Sequence, residues 1–194
     1  MRYSSYHTLP RKSTDNHTGF TIVELLIVIV VIGILAAIAI VAYQGVQVRA
    51  RNTAKLNEQI GWRDTFEAYK ASNGDYPSMA NGGYCLGTNF PIGEGGVARC
   101  RDMNVGSTGG STYLESNNTP LINALKSVRS IPVQTNIPVN GTIGPYADYD
   151  WPDPTITIVQ VYQGGAGDCP APTKYNWDDG AGRLLCSIVL TKGT

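Results

Sequence analysis

A chain of 194 residues leaves room for one domain plus attachments. Its 15 basic and 15 acidic side chains cancel, which excludes a chain-wide electrostatic pull toward nucleic acid or anionic lipid. Three Phe against 22 Gly predict a loop-rich globular part with a modest core.

Residues 1–19 form a polar preface with Arg2, Arg11 and Lys12 against Asp15, so the remainder holds 12 basic and 14 acidic groups. Both histidines, His7 and His17, lie in this preface. Beyond it there is no imidazole for general acid–base chemistry or metal ligation.

Residues 25–42 carry no charge and reach the length of roughly 18 residues at which a transmembrane helix becomes a candidate. The β-branched run "IVIVVIGI" suits a buried strand by propensity, but strands do not stay apolar for this length. A secretory signal is the rival, because Ala37-Ile38-Ala39 resembles a small-x-small cut site. Against it, the stretch outruns the roughly 7–15 apolar residues of such signals, and the helical pattern continues past Tyr43. Glu24 sits near the front of the stretch, although an acidic or basic residue at a bilayer's centre costs about 2.5–3.5 kcal/mol. A position near the interface lessens that cost. Basic residues flank the span almost equally, Arg2, Arg11 and Lys12 before it and Arg49, Arg51 and Lys55 after it, so charge alone does not orient it.

Residues 44–73 turn amphipathic, with Val46, Ala50 and Ala54 on one stripe and Trp62, Phe66 and Tyr69 spaced i, i+4, i+7 for a core face. Lys55 and Glu58 read as solvated, along with Arg49, Arg51, Asp64 and Glu67. Asn73-Gly74 supplies a stop, so one helix is expected over residues 20–73. Residues 75–118, dense in Gly and Asn, read as loop, and "TPLINALKSV" as a short helix with Pro120 at its start. Thr155–Gln163 and Arg183–Thr191 read as strands, the second placing Leu184, Cys186, Ile188 and Leu190 on one face. The expected fold is α+β, a long N-terminal helix laid on a small antiparallel meander sheet. Its parts are residues 1–19, 20–43, 44–73 and a globular head of 74–194.

Cys85, Cys100, Cys169 and Cys186 all follow the apolar stretch, and the even count predicts two disulfides in an oxidising compartment. Spacing favours Cys85–Cys100 and Cys169–Cys186, with all three connectivities open. A zinc site would need close pairs of the CxxC kind, which are absent. The oxidising side orients the span, N-terminus inside and head outside.

Little catalytic chemistry is left. Bridged cysteines are not nucleophiles, and no G-x-x-x-x-G-K-[ST] phosphate loop occurs, so any ATP would be handled by other proteins. The run "YADYDWPDP" offers Asp148, Asp150 and Asp153 as oxygen ligands for calcium, with Asp178-Asp179 later, although the EF-hand pattern is absent and acids in turns are commonly just solvated. Tyr146, Tyr149, Trp151, Tyr175 and Trp177 suit either core packing or an adhesive surface.

The stretch "GFTIVELLIVIVVIGILAAIAIVAYQ", Gly19 to Gln44, resembles the processing region of type IV pilins and the related pseudopilins of type II secretion. The resemblance implies a cut between Gly19 and Phe20 by a membrane prepilin peptidase on the cytoplasmic side, then N-methylation of Phe20. It implies that the new ammonium of Phe20 meets Glu24 of a neighbouring subunit in a bundle of parallel helices, driven by assembly machinery with a separate ATPase. The chain would be a membrane precursor first and an extracellular filament subunit afterwards, with no enzymatic role and no cofactor beyond the calcium option. A secretion pseudopilin, a minor tip pilin acting in adhesion or DNA binding, and an anchored domain that never polymerises are the alternatives. One departure is visible: many members carry proline where this chain has Val41, so a proline kink is absent and Gly33 alone could loosen the helix.

Overall fold

The computed structural model describes residues 19–93, 96–101, 113–139, 141–142, 144–149, 155–164, 169–178 and 182–191, with backbone alone at 175–178. The chain divides into two compact units, residues up to Gln44 and residues from Gly45 onward.

In the first unit the described chain is helical from Ile22, and this α1 (Ile22–Asn73) passes through Gly33 without a break. Its large apolar side chains from Phe20 to Tyr43 are all exposed, and the helix is long and apolar enough to cross a membrane. Such a uniformly apolar surface is what a bilayer or a bundle of like helices requires.

In the second unit α1 becomes a packing element. It ends where the sequence predicts: Gly74 adopts φ +87°, and its amide donates to the Lys70 carbonyl at 2.8 Å. Glycine takes this left-handed conformation without a Cβ clash. Five strands follow: β1 (Gly82–Cys85), β2 (Tyr146–Tyr149), β3 (Thr155–Gln163), β4 (Lys174–Asp178) and β5 (Arg183–Thr191). They form one antiparallel sheet in the order β1-β2-β3-β5-β4. The sheet is a meander only as far as β3, because β5 pairs along the whole of β3 and pushes β4 to the edge.

Alternation along the strands splits the core. Ile156 and Ile158 of β3 and Leu190 of β5 pack with Trp62 and Phe66 of α1 and with Leu121 and Leu125 of α2 (Thr119–Lys126). Val159, Val161 and Leu185 face the other way, onto Phe90, Tyr146 and the buried Cys85–Cys100 disulfide. A second disulfide, Cys169–Cys186, ties the segment before β4 to β5. Trp62 and Phe66 are fully buried, and Tyr69 packs against the same cluster. Val46 is exposed and Ala54 only half-buried, so the small-residue stripe is not the inner face of α1.

The inner face is unexpectedly polar. Gln59 is fully buried; its amide nitrogen donates to the carbonyls of Ile158 (2.9 Å) and Cys186 (3.0 Å), and its oxygen accepts the Tyr162 hydroxyl (2.7 Å). One side chain thus fastens the helix to two neighbouring inner strands, β3 and β5. Lys55 and Glu58 are also buried, which corrects the solvated reading of these two residues.

β1 lies inside the segment read as loop. Gly83 permits it: a Cβ there would fall 2.0 Å from the Tyr113 ring. Asn118 precedes α2 without capping it; its side-chain amide donates instead to the carbonyls of Cys85 (2.9 Å) and Gly87 (2.7 Å). The loop is therefore fixed by a disulfide and by a buried amide.

Candidate functional site

The first turn of α1 carries the chemistry. Thr21 stands just before the helix, and its hydroxyl oxygen accepts the Glu24 amide at 3.3 Å. In return, Glu24 Oε2 accepts the Thr21 amide (2.8 Å) and the Thr21 hydroxyl (2.7 Å). This is a capping box: threonine at the N-cap and glutamate three residues on each satisfy a backbone donor that the helix leaves orphaned. A carboxylate here also meets the positive end of the helix dipole. The glutamate that looked misplaced in an apolar segment is thus hydrogen-bonded by its own helix start. Both bonds that the carboxylate accepts fall on Oε2, and no described residue donates to Oε1.

Gly19 and Phe20 lie outside the helix and are exposed. A Cβ built on Gly19 would meet no atom within 4 Å. The peptide bond between them is unobstructed by any described residue.

Of Asp148, Asp150 and Asp153, Asp148 alone lies among the described residues. Asp148 Oδ1 accepts the Tyr113 hydroxyl at 2.8 Å, and that hydroxyl accepts Arg101 Nη1 at 2.8 Å. Asp150 and Asp153 lie outside the described residues, as do Trp151, His7 and His17. Among the described residues no group of three or more His, Cys, Asp or Glu side chains gathers for a metal. Tyr146 and Tyr149 are buried core residues and not part of an adhesive surface.

The capping partner Thr21 escaped the sequence reading, although its signal is there: T-x-x-E directly before an apolar run.

Residues 15–40 match the model of the prokaryotic N-terminal methylation motif. The chain is 30% identical over 71 residues to the type II secretion system core protein G of Escherichia coli K12, a stretch covering 37% of this chain and 49% of that protein. It is 40% identical over 60 residues to a fimbrial protein of Neisseria meningitidis serogroup A, covering 31% and 35%. It is 39% identical over 59 residues to a type IV major pilin protein PilE1 of Neisseria gonorrhoeae, covering 30% and 36%. The chain spans about half or less of the length of these relatives. No solved structure matches it. The N-terminal segment is of the prepilin methylation type, and the similarity extends to type IV pilins and to a type II secretion core protein.

Proposed function

We propose that the chain is a structural subunit of a type IV pilus-like extracellular filament, cut after Gly19 by a prepilin peptidase, N-methylated on Phe20 and assembled through α1. The observation that carries this reading is the coincidence of the methylation motif with a capped helix start and a helix long and apolar enough to cross a membrane, its large apolar side chains exposed from Phe20 to Tyr43. In the precursor the capping box holds Glu24 locally, which lowers the cost of a carboxylate at the membrane interface. Cleavage adds a cation, the α-ammonium of Phe20, one residue before the cap. Oε1 of a neighbouring copy's Glu24 can then take that ammonium while Oε2 keeps its own helix capped. Breaking such a pair in a dry bundle costs about 3–5 kcal/mol, although forming it adds little net stability. The pair therefore selects register more than it strengthens the bundle.

The two disulfides support a head on the oxidising side, and with it the reading of the precursor as a single-pass membrane protein with its N-terminus inside. The match to a secretion core protein favours a second reading, a pseudopilin of type II secretion. Mass spectrometry of the N-terminal peptide from sheared extracellular material tests the proposal. A peptide starting at methylated Phe20 supports it, and any other start overturns it. Loss of surface filaments rather than of protein export on deletion separates the pilus from the secretion reading.

A further inference from the structure

The triplet Asn117-Asn118-Thr119 has the N-x-[ST] spacing of an N-glycosylation acceptor, with no proline in the middle, and Glu115 puts a carboxylate two residues ahead of it. The fold presents both ends of the triplet. Asn117 closes the short 3₁₀ turn Glu115–Asn117, Thr119 opens α2, and both side chains are exposed. Asn118 between them is 2% exposed, its amide given to the carbonyls of Cys85 and Gly87. A group added to Asn117 therefore hangs outside a turn that is anchored from within, as a bulky surface modification requires. Two other triplets of this kind occur. Asn16-His17-Thr18 lies in the polar preface, ahead of the proposed cut. In Asn140-Gly141-Thr142 the threonine is buried, and its hydroxyl accepts Arg183 Nη1 at 2.8 Å.

A second observation lies beside the acceptor. Asn117 lines a groove of about 430 Å³ together with Ser78, Met79, Ala80, Tyr84 and Pro120. The Tyr84 ring is held in place: its hydroxyl donates to the Ala80 carbonyl at 3.0 Å, and it meets Tyr149 edge-on with ring centres 5.5 Å apart. A thioether, a proline ring and a half-buried aromatic make a wall on which the C–H face of a pyranose can pack, while Ser78 offers a hydroxyl to its polar edge.

We propose that Asn117 is N-glycosylated on the oxidising side of the membrane and that the first sugar settles into this groove. Asn117 Nδ2 attacks the anomeric carbon of an oligosaccharide carried on a polyisoprenyl pyrophosphate. The C–N bond forms as the bond from that carbon to the pyrophosphate oxygen breaks. The lipid pyrophosphate leaves with the electron pair, and the Nδ2 proton passes to a carboxylate of the transferase. Glu115 gives a cationic acceptor groove on that transferase a charge to read. Its oxygens accept the amides of Asn89 (2.7 Å) and Phe90 (2.8 Å), which leaves each a second lone pair. The proposal rests on the outward placement of the head and not on filament assembly.

Peptide mass spectrometry on the chain from its native host reads the modification, because residues 102–126 form one tryptic peptide. Electron-transfer fragmentation should place a sugar mass on Asn117 in most copies. Asn117→Gln and Thr119→Ala should each abolish it, whereas Thr119→Ser retains it. A bare wild-type peptide, a sugar on a serine or threonine of this peptide instead of Asn117, or modification that survives Thr119→Ala overturns the proposal. The groove has its own readout: with the sugar seated, Met79 should oxidise to the sulfoxide in dilute peroxide several-fold more slowly than in Asn117→Gln. Equal rates overturn the seating. A bare peptide alongside a methylated Phe20 start would sink the glycan and leave the filament reading intact.

Discussion

Gln59 offers a sharp test of how the helix is fastened to the sheet. Gln59→Leu keeps the size of the side chain and removes its three hydrogen bonds. The two strand carbonyls each retain a second lone pair, so losing their donor costs about 1 kcal/mol in all. The Tyr162 hydroxyl fares worse. It is fully buried and would have no acceptor, a penalty of about 1–3 kcal/mol. The substitution should therefore destabilise the head by about 2–4 kcal/mol. Tyr162→Phe alone strands the Gln59 oxygen, but in the Gln59→Leu background it removes the orphan. Double-mutant cycles by urea unfolding should give a coupling of about 1–2 kcal/mol, with the double variant no less stable than Gln59→Leu. A cost below about 1 kcal/mol for Gln59→Leu, or the absence of coupling, would refute the assignment of that bond.

Glu24→Ala should leave the precursor in the membrane and processed, yet reduce surface filaments severely; abundant normal filaments, seen by electron microscopy, contradict the register role. Thr21→Val removes the cap's hydroxyl and should lower helix stability at the first turn by about 1 kcal/mol, visible as faster amide exchange at residues 22–25 in micelles. Cys169→Ser with Cys186→Ser opens a loop of 17-residue separation and should cost the head about 3 kcal/mol, read as a lower urea midpoint. With Glu58 pushed up to about 7 from 4.5, the folded head keeps a proton that the unfolded chain has released, so stability falls as pH rises through that window. Lys55, pushed down from 10.5 to about 8, acts in the opposite sense above pH 8, so the urea midpoint should pass through a minimum between pH 7 and 8. A midpoint that climbs steadily from pH 5 to pH 8 contradicts this pair of assignments.

The long helix was legible because its signals are local: an uncharged run too long for a strand, an aromatic stripe at Trp62 and Phe66, and a glycine one step past Asn73. Thr155–Gln163 and Arg183–Thr191 were legible from β-branched alternation. β1 was not, because "GGYC" carries almost no strand propensity and is held by pairing with β2 and by the space Gly83 leaves for Tyr113. β2 was obscured by its acid: Asp148 suggested a ligand, yet its partner is a tyrosine 35 positions away in sequence. The same limit hid the burial of Lys55 and Glu58. A charge on an amphipathic helix reads as solvated until the segment that covers it is known, and Thr135, which donates to Glu58, lies 77 residues from it. At the helix start the failure was different, since T-x-x-E was in plain view.

The position of β5 governs how the head can be made. The latest in sequence of the described strands, β5, is an inner one, flanked by β3 and β4. Until it arrives, β3 has an unpaired side and Gln59 has only one of its two carbonyl acceptors. A head emerging N-terminus first cannot close progressively, because its sheet is complete only when β5 joins β3 to β4.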